Sequence, residues 1–438
     1  EMKMGVLSNL EPKKVFYYFE EITKIPHGSG NVDQISDFLV DFAKAHKLFY
    51  IRDAMKNVIM VKEATPGYEK EPVVILQGHM DMVAVQTPDC TMDMKTEGLK
   101  VGIDGDSVYA ENTSLGGDDG IAVALGTNAA LDLNFDKGAT IKAHQNSAAD
   151  DLFAVNLAAG SDLKVKGDID LISTAVGGGT GNNYGIYSAG GDAAFDGMRL
   201  QVTGGKNIYG VYGSSGGTFT FNKDVSIIAE QAQGYVYGVY LSGNNADFKN
   251  LVINANNAEG SDACGIFAKS NSVVQIAGDT EITVNVGDSG YDSRAVRIKD
   301  AEISLAGSLQ AVVSGGQTAL GILIESDAEN AVFSTGATGM TDISVKNGSD
   351  GSYGLAVESF DTKKVTADFN NAARIDVSGA MDVFGIKGWG GATEINFKEN
   401  SLITALGTEG NNSTSSTVSA ISLEKDAANV GGTITFNK

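Results

Sequence analysis

From about residue 120 onward, apolar and polar residues alternate in short runs along the chain. Ile282, Val284 and Val286 are separated by single polar residues, which is typical of a strand with one buried face. Clusters of Asn, Gly, Asp and Ser, which adopt turn conformations easily, separate these runs. The same alternation recurs at Phe219 and Phe221, Leu251 and Ile253, Ile375 and Val377, and Ile395 and Phe397. The pattern predicts a succession of short β-strands.

A small residue followed by an aliphatic residue recurs through this region every 25 to 35 residues. Its occurrences are Ala154-Val155, Gly185-Ile186, Gly210-Val211, Gly238-Val239, Gly265-Ile266, Ala295-Val296, Gly321-Ile322, Gly354-Leu355, Gly385-Ile386 and Ala420-Ile421. Each interval holds about three strand-like runs, which is typical of a solenoid built from several parallel sheets. One coil cannot bury its inward side chains alone, whereas stacked coils bury them in continuous columns. We predict a long right-handed parallel β-helix of about ten coils over residues 123–438.

The first part of the chain has a different pattern, which predicts an α/β segment over residues 1–122. Apolar residues at helical spacing predict helices over residues 11–25 and after Asn31, which is expected to cap the second helix. The buried positions expected on these helices are Val15, Phe16, Phe19, Ile22, Ile35, Phe38, Leu39 and Phe42. Strands are predicted at 49–52, 58–62 and 73–76. All five prolines lie at or before Pro88, which supports a domain boundary because interior strands exclude proline.

The boundary itself lies in the run Gly120-Ile121-Ala122-Val123. This run lies 34 residues before Ala154-Val155, so it is expected to form the first coil of the solenoid, as a strand or irregular segment. A short helix that caps the open end of the solenoid is the alternative.

The net charge of −23 argues against nucleic acid or an anionic membrane surface as a partner, because both attract clustered Lys and Arg. No apolar run reaches the length of a membrane-spanning helix, and no secretory signal is expected from the first residues. The two cysteines, Cys90 and Cys264, are too few for a disulfide framework and are expected to be structural thiols.

Candidate chemistry is confined to two short motifs in the first part. His79 and Asp81 directly follow the apolar run 73–76, and in extended backbone they point to the same face. Asp118 lies in a Gly-Gly-Asp-Asp-Gly turn, where the backbone can approach closely. Taken alone, a histidine at a strand end is also compatible with a surface or structural role.

The wider context resembles the aminoacyl-histidine dipeptidases of the M20 zinc-peptidase group. The resemblance runs collinearly through LEPKKVFYYFEEITKIPHGSGN, KNVIMVKEATPG, PVVILQGHMDMV and IDGDSVYAENTSLGGDDGIAVA. It implies that His79 is a zinc ligand, that the catalytic Asp81 orients it, and that Asp118 bridges two zinc ions. It further implies a dipeptide substrate that is hydrolysed by a zinc-activated water.

The chain departs from this family pattern at several positions. Asp119 stands where the family usually has asparagine, and the only Glu-Glu pair is Glu20-Glu21 in the first predicted helix. The family requires such a pair about thirty residues after the bridging aspartate, and a histidine near its C-terminus. The four histidines here are His27, His46, His79 and His144, and His144 is expected in an exposed loop. We therefore expect weak or partial zinc occupancy and no efficient peptidase turnover.

The region after about residue 127 resembles the β-helical passenger regions of autotransporter-type and adhesin-type surface proteins. Units such as YGVYGSSGGTFTFNKDVSIIA carry this resemblance, which implies a stalk that displays a glycan or host-surface ligand site. The peptidase family implies a cytoplasmic location and the stalk implies the cell surface. Candidate ligand groups are Arg294, Arg297, Lys299, Trp389 and the pairs Tyr184/Tyr187, Tyr209/Tyr212 and Tyr237/Tyr240. A solvated charged face and half-buried ring stacking are the structural interpretations of these groups.

Three functions remain open on the sequence. The first is an incomplete dipeptidase-like segment on an adhesin-like stalk. The second is a working metallodipeptidase that is completed by other residues or by a partner chain. The third is a β-helix that binds or cleaves polysaccharide.

Overall fold

A computed structural model of the chain separates into two compact units, Glu1–Gly120 and Ile121–Lys438. The structure describes residues 5–10, 12–64, 66–67, 78–104, 107–116, 123–125, 129–135, 138–145, 151–175, 180–258, 260–287, 290–360, 363–379, 381–390, 392–407, 417–424 and 432–437. Within these ranges, no helix combines the length and apolar character needed to cross a membrane.

In its described residues, the first unit contains two helices and two antiparallel hairpins. The helices are Lys13–Thr23 and Asp33–Ala45, and the hairpins pair Phe49–Arg52 with Val58–Val61 and Val101–Asp104 with Ser107–Ala110. The helices lie within the predicted ranges, but Asn31 does not cap the second one. Val32 occupies the cap position, and the Asn31 amide instead donates to the Lys95 carbonyl at 3.0 Å. The predicted strand at 73–76 lies outside the described residues.

The described part of this unit buries few apolar side chains. Its buried apolar residues are Leu7, Ile35, Val40, Ala43 and Met82. The expectation that Val15 is buried was wrong, because its side chain is 60% exposed on the outer face of the first helix. One face of the first hairpin also faces solvent, and it carries Phe49, Ile51, Ile59 and Val61. A substantial apolar surface is therefore left uncovered on this unit.

The second unit is a β-solenoid of parallel strands, as the sequence predicted. In one coil, Leu152–Leu157, Asp162–Lys166 and Ile169–Ala175 follow each other on three different faces. The next strand, Asn183–Ser188, then returns to lie beside Leu152–Leu157 in parallel. We call these faces A, B and C, in the order in which each coil visits them.

As far as the chain is described, face A is a parallel sheet of eleven strands. Its strands are Val123–Leu125, Leu152–Leu157, Asn183–Ser188, Ile208–Ser214, Tyr235–Ser242, Asp262–Lys269, Asp292–Lys299, Thr318–Ser326, Gly351–Ser359, Asp382–Gly390 and Val418–Glu424. Faces B and C are joined by two strands that run along both of them, Thr218–Glu230 and Asn245–Asn257.

The other strands of face B are Ala130–Asn134, Asp162–Lys166, Asp192–Phe195, Val273–Ile276, Glu302–Leu305, Ala331–Thr335, Val365–Phe369, Thr393–Phe397 and Thr433–Phe436. The other strands of face C are Ala139–Gln145, Ile169–Ala175, Met198–Thr203, Thr280–Val286, Leu309–Ser314, Met340–Gly348, Ala372–Gly379 and Ser401–Gly407. Side chains that alternate inward along these strands form one continuous core.

The core consists of columns of like side chains from successive coils. Ile186, Val211, Val239 and Ile266 pair in register and are fully buried, or nearly so, inside face A. A matching column of stacked rings lies inside face B, where the Phe221 and Phe248 rings are 4.7 Å apart. Because every coil covers the inward side chains of the next, each column excludes water along its length.

The recurring small residue has a steric cause. On face A, Tyr237 pairs with Cys264 and Val239 pairs with Ile266, so Gly238 lies between paired positions. A Cβ atom on Gly238 would meet the carbonyl oxygen of Gly265 at 2.7 Å and the Cγ2 of Ile253 at 2.5 Å. Gly265 of the next coil and Ile253 of face C therefore both limit the size of the residue at position 238.

The solenoid has its first described strand at Val123–Leu125, where a strand or irregular segment was expected. Val123 pairs with Val155, one of the recurring aliphatic residues, and Leu125 pairs with Leu157. The register of this coil depends on hydrogen bonds with the next strand, which the spacing of small residues does not specify.

We expect Gly238→Ala to lower the free energy of unfolding by about 1–3 kcal/mol, because the added methyl group overpacks a filled interior. Urea unfolding followed by circular dichroism measures the change. Gly243→Asn in the same coil is the matched control, because the nearest atom to its Cβ is 3.7 Å away and asparagine tolerates its positive φ. Equal losses in the two variants would contradict the steric explanation.

Candidate functional site

The candidate site in the first unit is built where two distant segments meet. The Met82 amide donates to the His27 carbonyl at 2.9 Å, and the Ser29 amide donates to the Met82 carbonyl at 3.0 Å. These bonds hold the loop after the first helix against the segment that carries His79 and Asp81. The loop side chains are thereby placed next to the predicted dyad.

Asp81 lies between two hydrogen-bonding partners. The Ser29 hydroxyl donates to its Oδ2 at 2.5 Å, and its Oδ1 lies 3.1 Å from His79 Nδ1. The hydrogen bond from Ser29 contributes most to holding the pKa of the Asp81 carboxyl below its usual value. The contact with His79 lowers this pKa further. The ionised carboxylate orients the imidazole ring through Nδ1, and Nε2 is the ring nitrogen directed away from Asp81. A carboxylate commonly orients a metal-binding histidine in this way.

A cavity of about 730 Å³ lies beside this arrangement. Ser29 lines it together with Asn31, Gln86, Asp93 and Lys95. The cavity therefore offers an acidic and a basic side chain, as well as neutral hydrogen-bonding groups, next to the Ser29–Asp81–His79 chain. Polar groups that converge in a cleft are typical of small-molecule sites.

The described residues do not make a complete zinc site. Catalytic zinc usually has three protein ligands, whereas no group of three His, Cys, Asp or Glu residues suited to a metal occurs among the described residues. The predicted bridging ligand, Asp118, lies outside the described residues. His79 and Asp81 are the predicted site residues that the structure brings together.

The remaining candidate groups have structural partners elsewhere. Glu20 is buried, and its carboxylate accepts hydrogen bonds from the backbone amides of Val6 and Leu7. His144 is exposed, but the expectation of a loop was wrong, because it lies in the strand Ala139–Gln145. Ala139, Ile141 and Ala143 alternate inward in that strand, so His144 points outward.

Sequence reasoning missed Ser29. It lies 52 residues before Asp81, in a stretch that reads as an ordinary glycine-rich loop. No periodicity marks it, and its role follows only from the contact between the two segments.

On the outer side of face A, aromatic side chains form two columns. Phe153, Tyr184, Tyr209 and Tyr237 form the first, with neighbouring ring centres 4.9–5.4 Å apart. Tyr187, Tyr212 and Tyr240 form the second, with ring centres 5.1–5.2 Å apart. Neighbouring rings are almost parallel and cover one another's faces, so the stacking surface that a sugar needs is occupied. The half-buried stacking interpretation is confirmed.

Arg294, Arg297 and Lys299 on face A are paired with carboxylates, and Arg294 and Arg297 are largely buried, so the expected solvated face does not hold for these two. Arg297 donates to both carboxylate oxygens of Glu325, at 2.6 and 3.1 Å. Arg294 forms ion pairs with Asp262 and Asp292, and Lys299 forms one with Asp327 at 3.1 Å. In-register stacking places side chains of neighbouring coils side by side, and this proximity cannot be deduced from the spacing along one coil. Each of the three cations is therefore engaged with a carboxylate of a neighbouring coil.

A surface groove of about 720 Å³ crosses several coils where face B turns into face C. Asp168, Asp170, Arg199, Lys223 and Asp224 line it. Lys223 forms an ion pair with Asp168 at 3.0 Å, and these side chains are largely exposed. The groove therefore exposes carboxylates and cations to solvent. They lie close enough together for one extended ligand to contact several of them.

Comparisons with known proteins match only part of the chain. No family model matches the chain. Over 121 residues, the chain is 36% identical to the cytosol non-specific dipeptidase of Escherichia coli (strain K12), covering 28% of this chain and 25% of that protein. The crystal structure of the aminoacylhistidine dipeptidase from Vibrio alginolyticus matches with 34% identity and a TM-score of 0.26, covering 26% of this chain and 24% of that one. The chain thus spans about a quarter of the length of these dipeptidases.

We expect Glu325→Ala to lower the free energy of unfolding by about 3–5 kcal/mol, because it leaves the half-buried Arg297 guanidinium without its carboxylate. The double variant Arg297→Leu, Glu325→Leu removes both charges and is expected to lose much less. Urea unfolding of the two variants measures the difference. A double variant as unstable as Glu325→Ala would show that the ion pair is not the source of the loss.

Proposed function

We propose that residues 1–122 form an incomplete dipeptidase-like metal-site segment, and that residues 123–438 form an adhesin-like stalk. The observation that carries the first part is the Ser29–Asp81–His79 hydrogen-bonded chain, in a unit that is partly similar to dipeptidases. In this proposal, zinc is the metal, His79 and Asp118 are its ligands, and Asp81 is the orienting carboxylate.

The proposed segment is incomplete because the other histidines are used elsewhere. His27 is buried, with its Nδ1 2.5 Å from the Ile25 carbonyl oxygen. His46 lies near the Phe42 carbonyl oxygen and stacks on the Phe42 ring. His144 belongs to face C of the solenoid. The Glu20-Glu21 pair lies in the first helix, with Glu20 engaged by backbone amides, so it does not supply a general base.

With this ligand set, we derive no hydrolytic step for the chain. The proposed role of the cavity beside Ser29 is to hold a dipeptide. Lys95 is suited to the carboxylate of the peptide, and Asp93 is suited to its ammonium group. A working dipeptidase that is completed by a partner chain is the alternative, and it predicts turnover that this proposal does not.

The test measures zinc content by elemental analysis and hydrolysis of Xaa-His dipeptides by the full chain. We expect substoichiometric zinc that falls further in His79→Ala, and no hydrolysis above the blank. His46→Ala is the matched control, because His46 lies in the same unit but away from Asp81, and its zinc content should be unchanged. Stoichiometric zinc with turnover that depends on His79 would overturn the proposal and support the alternative.

A second candidate function concerns the solenoid, and the groove lined by Asp170 and Arg199 favours it. Exposed carboxylates and cations together can hydrogen-bond the hydroxyl groups of a glycan, which carry both donors and acceptors. Asp168 and Asp224 add carboxylates that a polysaccharide-cleaving site would need. We propose this groove, and not the ring columns of face A, as the glycan site of the stalk.

We expect the full chain to bind members of a glycan array, and Arg199→Ala to reduce the signal at least about fivefold through loss of a charged hydrogen bond. Arg374→Ala is the control, because Arg374 occupies the same outward column of face C farther along the solenoid. No array signal, or equal loss in both variants, would contradict a glycan site in the groove. New reducing ends or unsaturated products would show cleavage as well as binding.

A further inference from the structure

Three phenol side chains lie side by side on the outside of face A. Tyr187, Tyr212 and Tyr240 are directly paired in register on successive strands. Their ring centres are 5.2 and 5.1 Å apart, and the angles between neighbouring rings are 2° and 4°. All three are half-buried, so part of each side chain remains in contact with solvent.

The geometry of this column is fixed from all sides. Hydrogen-bonded parallel strands set the spacing, and rings of the first column touch it edge-on, as in the contact of Tyr209 with Tyr212 at 5.1 Å. Asn156 ends the column on one side and Phe267 ends it on the other. Neighbouring phenols are therefore held together without having to diffuse, which favours a reaction between them.

We propose that the Tyr187–Tyr212–Tyr240 column is a site of oxidative cross-linking, at which neighbouring phenols couple to dityrosine. The oxidant is a one-electron oxidant of the peroxidase class that uses hydrogen peroxide. Each of two neighbouring phenols loses one electron and one proton, and the two phenoxyl radicals form a carbon–carbon bond between their ortho positions. Each ortho hydrogen then moves to the phenol oxygen, which restores both aromatic rings. One hydrogen peroxide accepts the two electrons and two protons and becomes two waters.

The second column is better suited to this reaction than the first. Tyr184 is only 7% exposed, and burial raises the pKa of Tyr184, of Tyr237 and, to about 12, of Tyr209. A buried phenol gives up its proton less readily, which opposes oxidation. Burial also raises the pKa of Tyr212, but this residue has a reactive neighbour on each side.

The product would add a covalent side-chain link between coils that are otherwise joined by the backbone and by non-covalent contacts. A bond between Tyr187 and Tyr212, or between Tyr212 and Tyr240, closes a loop of one coil. Closing such a loop restricts the unfolded chain and raises the melting temperature of the solenoid. The coupling would therefore reinforce the stalk where it carries the tyrosines.

The experiment treats the dilute full chain with a haem peroxidase and hydrogen peroxide, then follows dityrosine fluorescence and maps linked peptides by mass spectrometry. We expect links within one chain between Tyr212 and Tyr187 or Tyr240. Tyr212→Phe should lower the fluorescence yield about tenfold, because it separates the remaining two phenols by two coils. The ring is kept, so the fold is preserved, and circular dichroism checks this.

Tyr291→Phe is the matched control, because Tyr291 is 58% exposed and lies outside both columns. Its yield should equal that of the unchanged chain. Links that map to Tyr291 or join two chains, or an undiminished yield in Tyr212→Phe, would overturn the proposal. No dityrosine at all in the unchanged chain would also overturn it.

Discussion

The in-register stacking of parallel strands is the constraint on which the solenoid depends. Each coil repeats the same inward position, so Ile186, Val211, Val239 and Ile266 form one dry column. The same repetition acts on the outside, where it aligns tyrosines with tyrosines and brings Arg297 to Glu325. One geometric rule therefore produces the core, the aromatic columns and the ion pairs of face A.

The described residues of the first unit show no such repetition. Its described residues bury few apolar side chains and leave one face of a two-stranded hairpin in solvent. An isolated hairpin is marginal in water, so this unit is expected to be the less stable of the two.

The candidate site shows how function depends on a few long-range contacts. His79 and Asp81 are close in sequence, and their alignment on one face needs only an extended backbone. The hydrogen bond from Ser29 orients Asp81, and it exists only because backbone bonds between Met82 and the loop hold the two segments together. The hydrogen bond from Ser29 fixes the orientation of Asp81 beside His79, but it does not complete a metal site.

The sequence alone determined the solenoid, its coil length and the identity of its inward residues, because hydrophobic alternation and a recurring small residue are local properties. It also indicated His79 and Asp81, because they lie two residues apart in one short motif. Only the tertiary structure decided that Val123 pairs with Val155, that Arg294, Arg297 and Lys299 are paired with carboxylates, and that Ser29 contacts Asp81. The physical reason is common to all three. Register and contacts between distant segments depend on which backbone hydrogen bonds form, and the pattern along one strand does not specify them.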